Sequence, residues 1–228
     1  MTYREIIRTL KSHYKPENIE GMARFGIVTK KAYGVPAPAL RKLAKEIGRD
    51  HDLAQRLWSS GIHDARLLAA LIDDPACVTE EQMERWVKDF DNWAVCDGVC
   101  LHLFDRTPFA YDKAAEWTER EEEFVKRAGF ALMACLAFHD KDAGDPAFQR
   151  FLSIVERESD DDRNFVRKAV NWALRQIGKR HIALNKKAIR TAERIRKRDT
   201  RAARWIAADA LRELRGDAVQ KRLKERAG

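Results

Sequence analysis

The sequence predicts an all-α chain, an array of antiparallel helical pairs stacked into a superhelical solenoid. Two observations carry this. Apolar residues recur at helical spacing along nearly all of the 228 residues, and no convincing alternating run marks a half-buried strand. The segments KRAGFALMACLA, VRKAVNWALRQIG and AARWIAADALREL each set a basic residue ahead of an Ala-rich helix, and their basic positions Arg127, Lys168 and Arg204 recur about 40 residues apart. Small residues let neighbouring helices approach closely enough to stack. A non-repeating helical bundle would share the periodicity and lack the recurrence.

In chain order the spacing predicts helices over 2–13, 17–26, 38–47, 51–59, 63–73, 80–90, 93–104, 110–117, 120–138, 146–157, 161–179, 183–198, 201–214 and 217–226. Thr79 with Gln82 and Ser159 with Asp162 read as N-terminal cap-and-return pairs. Pro16, Pro38 and Pro146 occupy first-turn positions, where a missing N–H costs nothing. Gly48, Gly61 and Gly216 read as stops. The marked irregular stretch is Tyr33-Gly34-Val35-Pro36-Ala37-Pro38, a turn leading into a basic helix. The length suits one domain over 1–228, and the 40-residue recurrence is that of HEAT-like helical pairs.

Charged residues make up 35% and hydrophobic ones 45%, a folded rather than a disordered composition. No apolar run approaches membrane-spanning length, so the expected compartment is the cytoplasm and no membrane partner is expected. Cys77, Cys96, Cys100 and Cys135 all lie in apolar, helix-like contexts, as reduced core thiols would. The net charge of +8 is unevenly spread: from Arg163 onward there are 21 Lys+Arg against 6 Asp+Glu, whereas residues 1–162 hold 23 against 30. A basic final third on an acidic front suggests a polyanion-facing surface, although a solvated helical surface rich in Lys and Arg would give the same count. Cys96, Cys100 and His102 lack the loop spacing of a metal site, so no metal and no cofactor is expected. Gly-rich phosphate loops, nucleophile elbows and His-Glu zinc motifs are absent.

Two segments carry chemistry. In Asn164–Lys179, Val166, Ala169, Val170, Ala173, Leu174 and Ile177 form one apolar arc, and Lys168, Trp172, Arg175 and Lys179 fall on the opposite one. An indole within a basic stripe suits a sugar or base flanked by phosphates; the alternative is an indole packed beneath a neighbouring helix under long basic stems. In Asp91–Phe104, Trp93 and Asp97 are four apart and share a helix face, with the carboxylate inside an apolar run where it is costly unless paired or used. Arg127 heads another apolar helix, and an Asp97–Arg127 ion pair is as consistent with this pattern as a catalytic role. Trp205 and Asp209 repeat the Trp-x3-Asp spacing, so spacing alone does not choose between the pairs.

At these residues the sequence resembles the DNA alkylation-repair family of AlkD-type bacterial proteins. The resemblance runs through Lys31–Arg41, Asn92–Asp97, Lys126–Ala128 and Lys168–Arg175; each piece is short, and their order and spacing carry the match. It implies a superhelix of HEAT-like repeats with a concave basic face, and a functional tetrad of Trp, Asp, Arg and Trp that falls here on Trp93, Asp97, Arg127 and Trp172. It thereby favours Trp93/Asp97 over Trp205/Asp209. The activity implied is hydrolysis of the N-glycosidic bond of positively charged alkylated purines by a monofunctional DNA glycosylase without a base pocket. The partner implied is double-stranded DNA carrying such bases, bound by a monomer through Lys168, Arg175, Lys179, Arg204 and Arg41. Because some relatives bind DNA and lack glycosylase activity, a non-catalytic module for damaged or branched DNA is the alternative.

The chemistry fits the residue types. A purine alkylated at N3 or N7 is cationic and leaves as a neutral base, so the group needing stabilisation is the developing oxocarbenium on the sugar. A carboxylate beside C1′ supplies that, and indole faces attract both cations. Arg127 is expected to hold a backbone phosphate and position Asp97.

Overall fold

Apolar spacing at 3.6 residues, punctuated by caps and first-turn prolines, dictates helices and little else. The computed structural model describes residues 1–226, and among them it contains fourteen α-helices, two 3-10 turns and no strand. The helices are α1 Tyr3–Ser12, α2 Pro16–Arg24, α3 Ala37–Ile47, α4 His51–Ser59, α5 His63–Ile72, α6 Glu80–Lys88, α7 Trp93–His102, α8 Ala110–Glu116, α9 Glu123–His139, α10 Asp145–Arg157, α11 Asn164–Gly178, α12 Ile182–Arg196, α13 Arg201–Arg215 and α14 Asp217–Glu225. The 3-10 turns, Phe104–Arg106 and Trp117–Glu119, follow α7 and α8. Every helix expected from the periodicity forms, with ends shifted by up to three residues. None is long and apolar enough to cross a membrane.

Two compact units divide the chain after Thr107. In the first, α3 and α7 pack on α5, which itself packs on α4. Its core holds Trp58 and Trp86 stacked at 4.0 Å, with the Phe90 and Phe104 rings beside them. Polar ties in this unit recur at a lag of about 30 residues. Val35 N donates to Asp64 at a separation of 29, Arg85 to Gln55 at 30 and Trp58 Nε1 to Asp89 at 31.

The second unit is organised around α9, whose 17 residues are apolar on nearly every side and buried from Arg127 to Ala137. Its neighbours α8 and α11 pack against it, and α11 packs in turn on α12 and α13. Gly129 permits the α8–α9 approach: a Cβ there would lie 2.9 Å from Thr118 N and 3.0 Å from Ala114 O, both backbone atoms. Here the polar ties recur at 38 residues: Arg127 to Phe165 O, Asn171 to Asp209, Arg175 to Glu213, and Arg194 to Glu156. This lag is the structural counterpart of the recurrence read in the sequence.

Local signals mostly act as expected. Thr79 accepts from Gln82 N, although the Gln82 amide donates to Asp73 instead of returning to the cap; Pro16, Pro38 and Pro146 open their helices, and Gly48 (φ 77°) caps α3. Two do not. Ser159 is no cap: its hydroxyl donates to Glu156 O, and α11 starts only at Asn164 because Asp161 turns back onto Arg163 N and its guanidinium. Cys77 is exposed rather than in the core, because Pro75 and an Asp74 carboxylate accepting from Ala76 N hold residues 74–77 as a surface turn. Cys96, Cys100 and Cys135 are buried thiols.

Candidate functional site

The Trp93/Asp97 pair is set by how α7 begins. Asn92 is wholly buried; its side-chain oxygen accepts from Ala94 N at 3.0 Å and Val95 N at 3.1 Å, satisfying two of the donors a helix N-terminus leaves open. Its amide nitrogen donates to Asp91 at 2.6 Å and faces His63 Nδ1 at 3.4 Å. Burial pushes the His63 pKa down, against the opposing charges of Asp64 and Asp91, so the ring stays neutral and able to accept. With the start of α7 fixed, Val95, Cys96, Val99 and Cys100 enter the core, while Trp93 and Asp97 share the half-accessible face.

Trp93 is further held by Nε1, which donates to the carbonyl of Phe25 at 2.9 Å, just beyond α2. With Met22, Phe25, Ile27, Val35 and Pro36 it lines a largely apolar groove of about 680 Å³. The other wall of the groove is the irregular stretch seen in the sequence. Asp64, buried at the start of α5, accepts from Tyr33 N at 2.6 Å and Val35 N at 2.7 Å. Gly34 (φ 71°) is needed between them, since a Cβ there would come within 2.7 Å of Lys15 O. Sequence reasoning missed this groove, because nothing in the spacing links α2 to Trp93.

In the second unit, Arg127 on α9 is 6% exposed and its guanidinium donates to Phe165 O at 2.6 Å in the first turn of α11. It thereby ties down the helix that carries Trp172. The predicted arc of α11 is buried, Trp172 is half-buried on the other side, and Lys168 is exposed. The basic stripe is less free than its sequence suggests. Arg175 and Lys179 both reach Glu213 on α13, at 2.5 and 2.6 Å. Burial alone would raise the Glu213 pKa; bonds and charges from Lys179 and Arg175 outweigh it and hold the carboxyl below its usual range. Arg204 pairs with the exposed Asp199, whereas Arg41 is exposed on α3. A shift of the sequence by 38 residues, which lays Asn171 over Asp209 and Arg175 over Glu213, would have found these partners.

The second Trp-x3-Asp pair, Trp205 and Asp209, is tied into the packing of α11 against α13. Trp205 lies under the Arg167 guanidinium, 4.7 Å from its ring centre. Asp209 accepts from Asn171 at 2.7 Å, pairs with Arg175 at 3.5 Å and bonds Arg212. A carboxylate so neutralised has little charge left for a cationic substrate.

The model of the DNA alkylation repair enzyme family matches residues 6–214, and the chain belongs to that family. It is 23% identical over 194 residues to the uncharacterized protein Lin0241 of Listeria innocua, covering 84% of this chain and 80% of that one. Among solved structures it is similar, with a TM-score of 0.78 and 21% identity over 93% of this chain and 95% of the other, to a protein described as related to the HEAT-like repeat DNA glycosylases with affinity for branched DNA structures. The fold is thus that of the HEAT-like repeat proteins.

Proposed function

We propose that this member of the DNA alkylation repair enzyme family is a DNA glycosylase that releases positively charged alkylated purines, of the 3-methyladenine and 7-methylguanine type, from double-stranded DNA. The observation that carries the reading is the Trp93/Asp97 face of α7, half-accessible on a helix whose start is fixed by a buried cap. In this reading the Asp97 carboxylate stabilises the sugar cation as the glycosidic bond breaks, and orients the water that attacks C1′. Trp93 and Trp172 offer indole faces to the cationic base and sugar. Arg127 acts by holding α11, and Lys168 and Arg41 meet phosphates. Arg175 and Lys179 reach phosphate only at the expense of their pairing with Glu213.

Base release from duplex DNA containing N7-methylguanine, measured in single turnover, tests the proposal. Asp97→Asn keeps the shape of the side chain and removes its charge. It is expected to slow release by about 10²-fold, towards the spontaneous rate of depurination, with DNA affinity retained. Unchanged release would remove Asp97 from catalysis. A second reading, a non-catalytic module for branched DNA, is favoured by what is described for the structural neighbour. It predicts no release by the parent chain and tighter binding to a four-way junction than to a linear duplex.

A further inference from the structure

At the C-terminal ends of α9 and α11, against α14, five cationic side chains line one small cavity of about 240 Å³: Lys141, Lys179, Arg180, Arg222 and Arg226. Two are explained by the fold. Arg180 donates to the carbonyls of Ala137, Asp140 and Ala143, and Lys141 to that of Phe138, so both offset the negative end of α9. Lys179 is held by Glu213. Arg222 and Arg226 have no such role. They are one turn apart, both exposed, and no acidic side chain among the described residues pairs with either. Burial, with the charges of Arg180 and Arg226, draws the Lys141 pKa below the usual amine range.

Beside these cations Phe138 leaves 55% of its surface in solvent, at the last turn of an otherwise buried helix. Lys141 Nζ lies 5.3 Å from the ring centre. An exposed aromatic face bordering a concentration of positive charge combines the two elements that hold unpaired nucleotides: stacking for the base and cations for the backbone. A base inside a duplex offers no such face.

We propose that this cavity is a second nucleic-acid site, in which Arg222, Arg226 and Lys141 hold backbone phosphates of a single-stranded segment while Phe138 stacks on an unpaired base. Its lining includes none of the residues assigned to base release, Trp93, Asp97, Arg127 and Trp172. It rests on the DNA-binding reading only in taking a nucleic acid as the source of the phosphates.

The test compares an undamaged blunt duplex with the same duplex bearing a short unpaired thymidine tail, by fluorescence anisotropy at several salt concentrations. The parent chain is expected to prefer the tailed duplex. Phe138→Ala should reduce that preference by about five-fold or more, the loss of one stacked base. Arg222→Gln with Arg226→Gln should reduce it too, and lower the salt slope for the tailed probe by about 0.7 for each phosphate no longer neutralised. Circular dichroism melts establish that each variant is folded; should the double arginine variant fail, Lys141→Gln with Phe138→Ala reads the same site. Equal affinity of the parent for both probes, or a preference untouched by these substitutions, overturns the proposal. Loss of affinity for blunt and tailed duplexes alike does so as well, since it assigns the cations to duplex backbone. Because the probes carry no lesion, the result is independent of base release. A parent that releases no alkylated base yet loses tail preference in these variants would refute the glycosylase reading and leave this one standing.

Discussion

Asn92→Ala is the substitution that most directly joins the fold of the first unit to the Trp93/Asp97 pair. Asn92 is wholly buried; it accepts from Ala94 N and Val95 N, donates to Asp91, and faces His63. Removing an N-cap of this kind costs about 1 kcal/mol, up to about 2. Leaving buried donors without an acceptor adds about another 1 kcal/mol or more. A total of about 2 kcal/mol corresponds, for a chain of this length, to a fall in Tm of about 4–8 °C. The fall should be accompanied by faster amide exchange at Ala94 and Val95 and, through a loosened first turn, slower base release. Asn92→Ser keeps an acceptor for the helix end and should recover more than half of the lost stability. Thermal melts with amide-resolved hydrogen exchange measure all of this. A Tm within about 1 °C of the parent, with Ala94 and Val95 protection unchanged, would refute the argument that this cap fixes α7.

Four further outcomes are expected. Burial lowers the folded-state pKa of His63 below its ordinary 6.5, so the unfolded chain takes up the proton first as pH falls. Stability should therefore decline through and below about pH 6.5, and His63→Gln should flatten that part of a Tm profile between about pH 7.5 and 5.5. Trp172→Ala, at a half-buried position, should cost less stability than the roughly 3–5 kcal/mol expected for Trp86→Ala, whose indole is fully buried and stacked, while reducing base release; a larger melting loss at Trp172 would make it a packing residue. Gly129→Ala sets a new Cβ against backbone atoms of Thr118 and Ala114, whereas Gly98→Ala meets only the end of Leu67; the first should destabilise by about 1–3 kcal/mol in denaturant melts and the second by clearly less. Glu213→Gln frees Lys179 from its carboxylate and leaves Arg175 with Asp209 alone, so duplex binding in anisotropy should tighten at low salt and its salt slope should steepen.

How far the sequence reveals these features depends on the range of the interaction. The apolar arc of α11 is legible because six residues at one angular position have one explanation, and all six are buried. Pro16, Pro38 and Pro146 are legible because proline's missing N–H has one comfortable place in a helix. Ser159 misleads because a cap is a competition: Asp161 takes Arg163 N, and the residues that would have formed the first turn stay outside the helix. Cys77 misleads because its thiol says nothing about the turn that Pro75 and Asp74 make around it. For the candidate site, helical spacing puts Trp93 and Asp97 on a common face and Trp172 on its side of α11. The carbonyl of Phe25 that holds Trp93 is 68 residues away and belongs to no pattern.

Repeat length explains which long-range partners are legible after all. In a stacked array a side chain can meet its counterpart one repeat on, so a subset of the polar ties shares one lag. Here the lag is about 30 residues in the first unit and 38 in the second. Composition then misleads in a specific way. The excess of Lys and Arg after Arg163 counts charges, but each repeat also carries an acid at the lag that meets a base: Glu156 takes Arg194, Asp160 takes Arg198, and Glu213 takes Arg175. What remains for a polyanion is the set of cations with no acid at that distance. Lys168 on α11 and Arg222 and Arg226 on α14 belong to it, and no net charge would have singled them out.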